Sequence, residues 1–284
     1  MRHLKLFRHV YVVIAVALIP IVIYWGWMML SSLRQTAITS QSKTKPEKTF
    51  SQIAPKWPKK IPILMYHYIE YVQDKGDTIR QSLDISPYTF ERQIQTLVNA
   101  GYTCITAREL GEMFDGKREI PDKPVLLTFD DGYRDFYTDA YPIMKKYQVK
   151  GTVYVVSGFI GYRNYMTELQ IQTIAHEELV EIGSHTVHHV SLTHAPVEEI
   201  QKELLDSKSM LEQLIGLPVV SFAYPNGSFD DSAVKEVSAS GFTTAVITKP
   251  GIDIDPKDRF KLVRIRPGSN VGEDLLKRIN QKSY

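Results

Sequence analysis

The chain has 284 residues, 43% of them hydrophobic, with 34 Lys and Arg, 32 Asp and Glu, and one cysteine. That hydrophobic content excludes wholesale disorder, and the lone Cys104 excludes a disulfide scaffold and a cysteine-rich zinc module. The near-neutral total hides a basic first 60 residues and a body, residues 61–284, with 24 basic and 31 acidic side chains. An acidic body argues against nucleic-acid binding, which needs a positive surface.

Val10 to Leu30 carries no charge and is long enough to cross about 30 Å of hydrocarbon as a helix. Tyr11 at one end and Tyr24, Trp25 and Trp27 at the other suit the two membrane interfaces. The run exceeds the apolar core of a cleaved leader and no small-x-small site follows it, so it predicts an uncleaved, single-pass transmembrane helix. Arg2, Lys5 and Arg8 favour a cytoplasmic N-terminus. Residues 1–30 are thus expected to form the cytoplasmic tip and anchor. Residues 31–60, polar and basic without apolar periodicity, read as a flexible tether, and 61–284 as the body.

Within the body, Pro62–Tyr66 (PILMY) reads as a buried strand. Ser86-Pro87 caps a helix with Phe90, Ile94, Leu97 and Val98 at helical spacing, and Gly101 closes it. Strands follow at Thr103–Ile105, Val125–Phe129, Thr152–Val156, near 180–183, at Val219–Ala223, Thr243–Ile247 and Lys261–Ile265. Helices between them are expected after Thr106 and over 135–147, 167–178, 196–215 and 230–240, the longest with Val197, Ile200, Leu204, Leu211 and Leu214 on one stripe. Such alternation predicts an α/β fold with a mostly parallel sheet, and seven or eight units favour a barrel over an open doubly wound sheet. No Gly-rich phosphate loop follows any strand.

Two motifs carry chemistry. Thr128-Phe129-Asp130-Asp131-Gly132 puts two acids at the end of an apolar strand, where parallel α/β folds place functional groups. Neighbouring strand side chains point oppositely, so both acids reach one site only if the chain turns, which Gly132 permits. Ser184-His185-Thr186-Val187-His188-His189 follows the strand near 180–183, and the four-residue spacing of His185 and His189 would let one helical turn offer both imidazoles to a metal. With an Asp from the other motif this makes a His2Asp site with a position left open.

TFDDG followed by HTVHH resembles the polysaccharide deacetylase family, also called the NodB-homology or carbohydrate esterase family four. The resemblance covers roughly residues 61–270 and implies a distorted (β/α)7–8 barrel. It implies Asp130 as catalytic base and Asp131, His185 and His189 as ligands of a divalent metal, with zinc the first choice. Ser221–Gly227 (SFAYPNG) corresponds to the family's third motif, usually Arg-x-Pro-Tyr-Gly, with Ala223 in place of the arginine. This variant resembles the subgroup that includes poly-N-acetylglucosamine deacetylases, in which an arginine nearer the C-terminus takes over. Arg264 is the candidate to hold Asp130 ionised, with Arg266 as the alternative. No histidine follows His194, so the usual C-terminal acid is absent; in that subgroup the acid is the first-strand histidine, here His67.

The resemblance therefore implies metal-dependent removal of N-acetyl groups from an N-acetylglucosamine polysaccharide at the cell surface, poly-N-acetylglucosamine or peptidoglycan. The body would lie outside the membrane that holds the anchor. The backbone N–H of Asn226 would help hold the oxyanion, and Tyr66, Tyr224 and Tyr162–Tyr165 offer rings to a sugar. An O-acetyl esterase, a glycosidase built on the two acids, and an inactive metal-bearing glycan binder are the rival expectations.

Overall fold

Eight short parallel strands build one sheet: β1 (Ile63–Tyr66), β2 (Thr103–Ile105), β3 (Pro124–Phe129), β4 (Gly151–Val155), β5 (Val180–Ser184), β6 (Ser221–Ala223), β7 (Thr244–Pro250) and β8 (Leu262–Arg264). The computed structural model describes Trp57 and residues 60–281 apart from Lys75. The expected anchor over 1–30 and nearly all of the expected tether over 31–60 lie outside the described residues. Among the described residues no helix is long and apolar enough to cross a membrane. Trp57 and Lys60, at the end of the expected tether, are packed on the body: Trp57 meets the Phe114 ring at 4.8 Å and Lys60 bridges Asp253.

The strand order is β1-β3-β4-β5-β6-β7-β8, with β2 against the first half of β3. The sheet then nearly closes on itself. Leu64 bridges Ile265, just beyond β8, through Met65 N–H to Ile265 O (2.9 Å) and Ile265 N–H to Ile63 O (2.8 Å). The first and last strands are therefore neighbours, as the expected barrel requires.

Alternation along the strands separates two cores. Ile63, Leu126, Tyr154, Ala223, Val246 and Leu262 fill the barrel interior, while Leu64, Tyr66, Leu127, Phe129, Val153 and Phe222 point outward under the helices. Each of these side chains is 0–1% exposed, and full burial of one is worth about 1.5–3 kcal/mol.

The helices are α1 (Thr78–Leu83), α2 (Pro87–Asn99), α3 (Ala107–Phe114), α4 (Tyr141–Tyr147), α5 (Glu168–Ala175), α6 (Val197–Ile215), α7 (Asp231–Ala239) and α8 (Gly272–Asn280). Ser86 Oγ accepts from Thr89 N–H at the start of α2, and Thr106 and Glu109 form a capping box on α3. The segment expected as one helix over 135–147 begins with a π-helical turn at Phe136–Ala140. On α2, Val98 is exposed and Gln93 takes the buried face. Its amide is fully used, accepting from Tyr66 Oη (3.0 Å) and donating to Gly268 O (2.7 Å) and Asn270 O (2.9 Å). On α6, Val197 and Leu214 leave the buried stripe, which runs Ile200, Leu204, Leu211 and Ile215. Helices α1 and α8 fall outside the expected elements, although α8 buries Leu275 and Ile279 at helical spacing.

Candidate active site

The inward alternation of β3 continues past its end, so Leu126, Thr128 and Asp130 share one face. Arg264, at the end of β8, is on the same inner face and wholly buried. Its Nη1 and Nη2 donate to Asp130 Oδ1 and Oδ2, both at 2.7 Å, and Nε donates to Ile247 O at 2.9 Å. Nη1 also reaches Thr128 Oγ1 at 3.2 Å. Burial alone would raise the Asp130 carboxyl, but the guanidinium outweighs it and holds the group below the ordinary carboxylate value. Arg264, not Arg266, is thus the arginine that grips Asp130.

Asp131 reaches the same end of the barrel because the backbone turns at once. Its φ is +74° and that of Gly132 is +76°, so two successive left-handed residues swing the second carboxylate over the strand ends. A Cβ on Gly132 would also meet Val155 at 3.2–3.3 Å, so both the turn and the close approach require glycine there.

Asp131 Oδ1 lies 3.3 Å from His185 Nε2 and 3.2 Å from His189 Nε2. His185 Nδ1 is 2.7 Å from Ala223 O, an acceptor, which fixes the proton on Nδ1 and leaves the Nε2 lone pair facing Asp131. Asp131 Oδ1 is buried and has no hydrogen-bond partner among the described residues. Three ligand atoms lie within 4.8 Å of one another, and a buried oxygen without a donor is what a cation would satisfy. The donor set fits a divalent metal.

The histidine motif differs from the expected helical turn. After β5 it is a bent loop in which Thr186 (φ +65°) and His189 (φ +56°) are left-handed, and it is this bend that returns His189 to face His185. Glu203 on α6 holds the loop: its Oε2 accepts from Val187 N–H (2.8 Å) and His188 N–H (3.0 Å), and its Oε1 meets His188 Nδ1 at 2.7 Å. His188 thus faces the helix, away from the triad. Glu203 escaped the sequence reading because a glutamate on an amphipathic helix looks like a solvated one.

His67 follows β1, and its Nε2 lies 3.9 Å from Asp130 Oδ2. Burial pushes its imidazole below the ordinary histidine value; Asp130 and Asp131 pull upward, and Arg264 and Arg266 oppose them. Strand β6, beside β5 in the ring, ends at Ala223. There Asn226 is exposed and left-handed (φ +58°), and its N–H has no acceptor among the described residues. Tyr224 departs from expectation. It is 0% exposed, packed on Phe222 and Phe229, and offers no face to a sugar. Tyr66 is likewise buried. The expected Tyr162–Tyr165 segment does offer rings, Tyr162 exposed and Tyr165 half-buried, and Tyr68 and Tyr133 join them. Tyr68 follows His67 and Tyr133 follows Gly132, and they stack at 3.9 Å, with Tyr165 against Tyr133 at 5.0 Å.

Comparison with known proteins agrees with this geometry. A family model described as polysaccharide deacetylase matches residues 117–245. The polysaccharide deacetylase-like protein YxkH of Bacillus subtilis (strain 168) is 32% identical over 230 residues, 80% of this chain and 79% of that one. The poly-beta-1,6-N-acetyl-D-glucosamine N-deacetylase of Staphylococcus aureus (strain MSSA476) is 24% identical over 211 residues, 70% of this chain and 72% of that one. Among solved structures, the Streptococcus pyogenes deacetylase PplD in complex with acetate superposes with a TM-score of 0.72 at 31% identity, covering 78% of this chain and 99% of that one.

Proposed function

This chain belongs to the polysaccharide deacetylase family, and on that premise we propose that it hydrolyses N-acetyl groups of an N-acetylglucosamine polysaccharide in a metal-dependent reaction that releases acetate. The observation that carries the reading is the buried pair of adjacent carboxylates with divided duties: Asp130 is gripped by Arg264, and Asp131 faces the Nε2 atoms of His185 and His189. Poly-beta-1,6-N-acetylglucosamine is the favoured glycan, supported by the named activity of the Staphylococcus aureus relative. Peptidoglycan is the second.

Asp131, His185 and His189 would hold the metal, with zinc the proposed ion. When bound, it supplies Lewis-acid polarisation of the acetyl carbonyl and lowers the pKa of the attacking water. Asp130, kept ionised by Arg264, takes the proton of that water. The unengaged N–H of Asn226 donates to the oxyanion that develops on the former carbonyl oxygen. His67 donates a proton to the departing amine, which stays on the polymer. A glycosidase on Asp130 and Asp131 is disfavoured because its general acid must be protonated, whereas Arg264 holds Asp130 ionised and Asp131 faces the two imidazoles.

The same proposal puts the body outside the cell, held to the membrane by residues 10–30. The test is acetate release by the full chain from both glycans. A chelator should abolish it and a divalent ion restore it, whereas undiminished release from metal-free protein would overturn the metal assignment.

A further inference from the structure

His67 sits just past the last ladder pair of β1, Tyr66 with Phe129, so the sheet no longer fixes its backbone. Among the described residues its imidazole makes no hydrogen bond, since Asp130 Oδ2 at 3.9 Å is too far for one. The ring therefore points where the backbone of residues 67–70 sends it. Two hydrogen bonds tie that segment to the stretch entering α2: Tyr68 O accepts from Ile85 N–H at 3.0 Å, and Glu70 N–H donates to Asp84 Oδ1 at 3.2 Å. Toward the loop that carries Asp131, the segment stacks Tyr68 on Tyr133 and donates Ile69 N–H to Asp135 Oδ2.

That last bond is built into the fold. Asp135 is 7% exposed and Ile69 0%, so little solvent competes for it, and without the carboxyl the Ile69 N–H would be stranded. The Asp131 loop has supports of its own. Met166 N–H donates to Gly132 O at 3.1 Å, and Arg134 N–H donates to Asn164 O at 2.9 Å. Directly after Asp135 the chain enters the π-helical turn Phe136–Ala140, packed under α4. The loop is thus the anchor, and the segment that carries His67 is what the bond places.

We infer that Asp135 is a positioning residue for the proton donor: by holding Ile69 N–H it sets the His67 imidazole against Asp130 and the departing amine. It acts through His67 alone and leaves the metal ligands to their own supports. The inference rests on the deacetylase reading above, with His67 as its acid.

The experiment measures acetate release by the zinc-loaded full chain from two substrates. One is the N-acetylated beta-1,6 glycan, whose amine needs a proton to leave, and the other an activated aryl acetate, whose phenolate does not. Asp135→Ala should lower the glycan-to-aryl ratio of kcat by about ten- to a hundredfold, part of the 10²–10⁴ that an acid is worth, with zinc content unchanged. Asp135→Asn keeps an acceptor for Ile69 and should restore most of the ratio. In His67→Ala the ratio has already fallen, and adding Asp135→Ala should lower it no further. Should Asp135→Ala fail to fold, Asp135→Glu, whose longer side chain shifts the acceptor, carries the same expectation. Equal losses on both substrates, or a further fall of the ratio in the His67→Ala background, would overturn the positioning role and leave Asp135 a support of the fold. A wild type that releases acetate from neither substrate would instead overturn the deacetylase reading, and the role of Asp135 with it.

Discussion

Arg264 and Asp130 meet through two parallel hydrogen bonds of 2.7 Å, from a fully buried guanidinium at the end of β8 to a carboxylate just past β3. Breaking such a pair from one side strands a buried charge, which costs about 3–5 kcal/mol. Arg264→Met should therefore destabilise the protein by about that amount in urea unfolding at neutral pH. In the wild type the depressed carboxyl contributes stability above its unfolded pKa and loses it as pH falls through the folded value. The gap between variant and wild type should accordingly narrow in acid. In Arg264→Met the carboxyl rises, so the acidic limb of kcat/KM should move to higher pH. A gap independent of pH would mean that Asp130 is not ionised against Arg264.

His67 must be protonated to act as the acid, and burial lowers its pKa in the free enzyme. The basic limb of kcat/KM should thus begin below the ordinary histidine value of about 6.5. His67→Ala should remove that limb and lower amide hydrolysis by about 10²–10⁴, the usual worth of an acid catalyst. An activated aryl acetate, whose phenolate leaves without a proton, should lose much less. Equal losses on the two substrates would assign His67 to packing.

Asp135 is a buried carboxyl outside the metal triad. It accepts from Ile69 N–H, tying the segment after His67 to the segment after Asp131, and burial pushes it up to about 7. Its folded pKa lies above its unfolded value, so the fold binds this proton more tightly and stability falls as pH rises from about 4 to about 7. Asp135→Asn keeps an acceptor for Ile69 but cannot ionise. Its melting temperature relative to wild type should therefore be higher at pH 8 than at pH 5. The same offset at both values would show that Asp135 is not the titrating group.

The loop carrying the histidines gives a further contrast. His189→Ala should lose the metal, and His188→Ala should keep it, because His188 Nδ1 faces Glu203. Glu203→Ala frees the two backbone N–H groups that shape the loop, and metal affinity should fall by about 10–100-fold, as for other supporting residues of metal sites. Calorimetric titration with zinc distinguishes the three variants. Tight binding by His189→Ala would contradict the ligand set.

What was legible in the sequence is local and repetitive. The apolar run of β3, the Ser86 cap and the Thr106–Glu109 capping box are short-range signals, and the strands and helices they mark stand close to where the pattern puts them. The positions of Asp130, Asp131, His185 and His189 were legible because motifs at strand ends report topology as well as chemistry. The bend of the histidine loop was not, since alongside the local bond from His189 N–H to Thr186 Oγ1 it is held by Glu203 from a distant helix. Tyr224 shows the converse: an aromatic ring beside a motif looks accessible until the packing of Phe222 and Phe229 is known. Choosing between Arg264 and Arg266 needed the register of β8 against β1, which only the closed sheet supplies.

The division of labour between Asp130 and Asp131 is the central claim, and paired measurement of bound metal and turnover in two isosteric variants tests it most directly. Asp130→Asn should retain bound metal near the wild-type content while turnover on the N-acetylated glycan falls by about 10²–10⁴, because the amide cannot accept the water's proton. Asp131→Asn should lose both the metal and turnover. An Asp130→Asn protein that is empty of metal beside an Asp131→Asn protein that remains loaded would contradict the assignment and exchange the two roles.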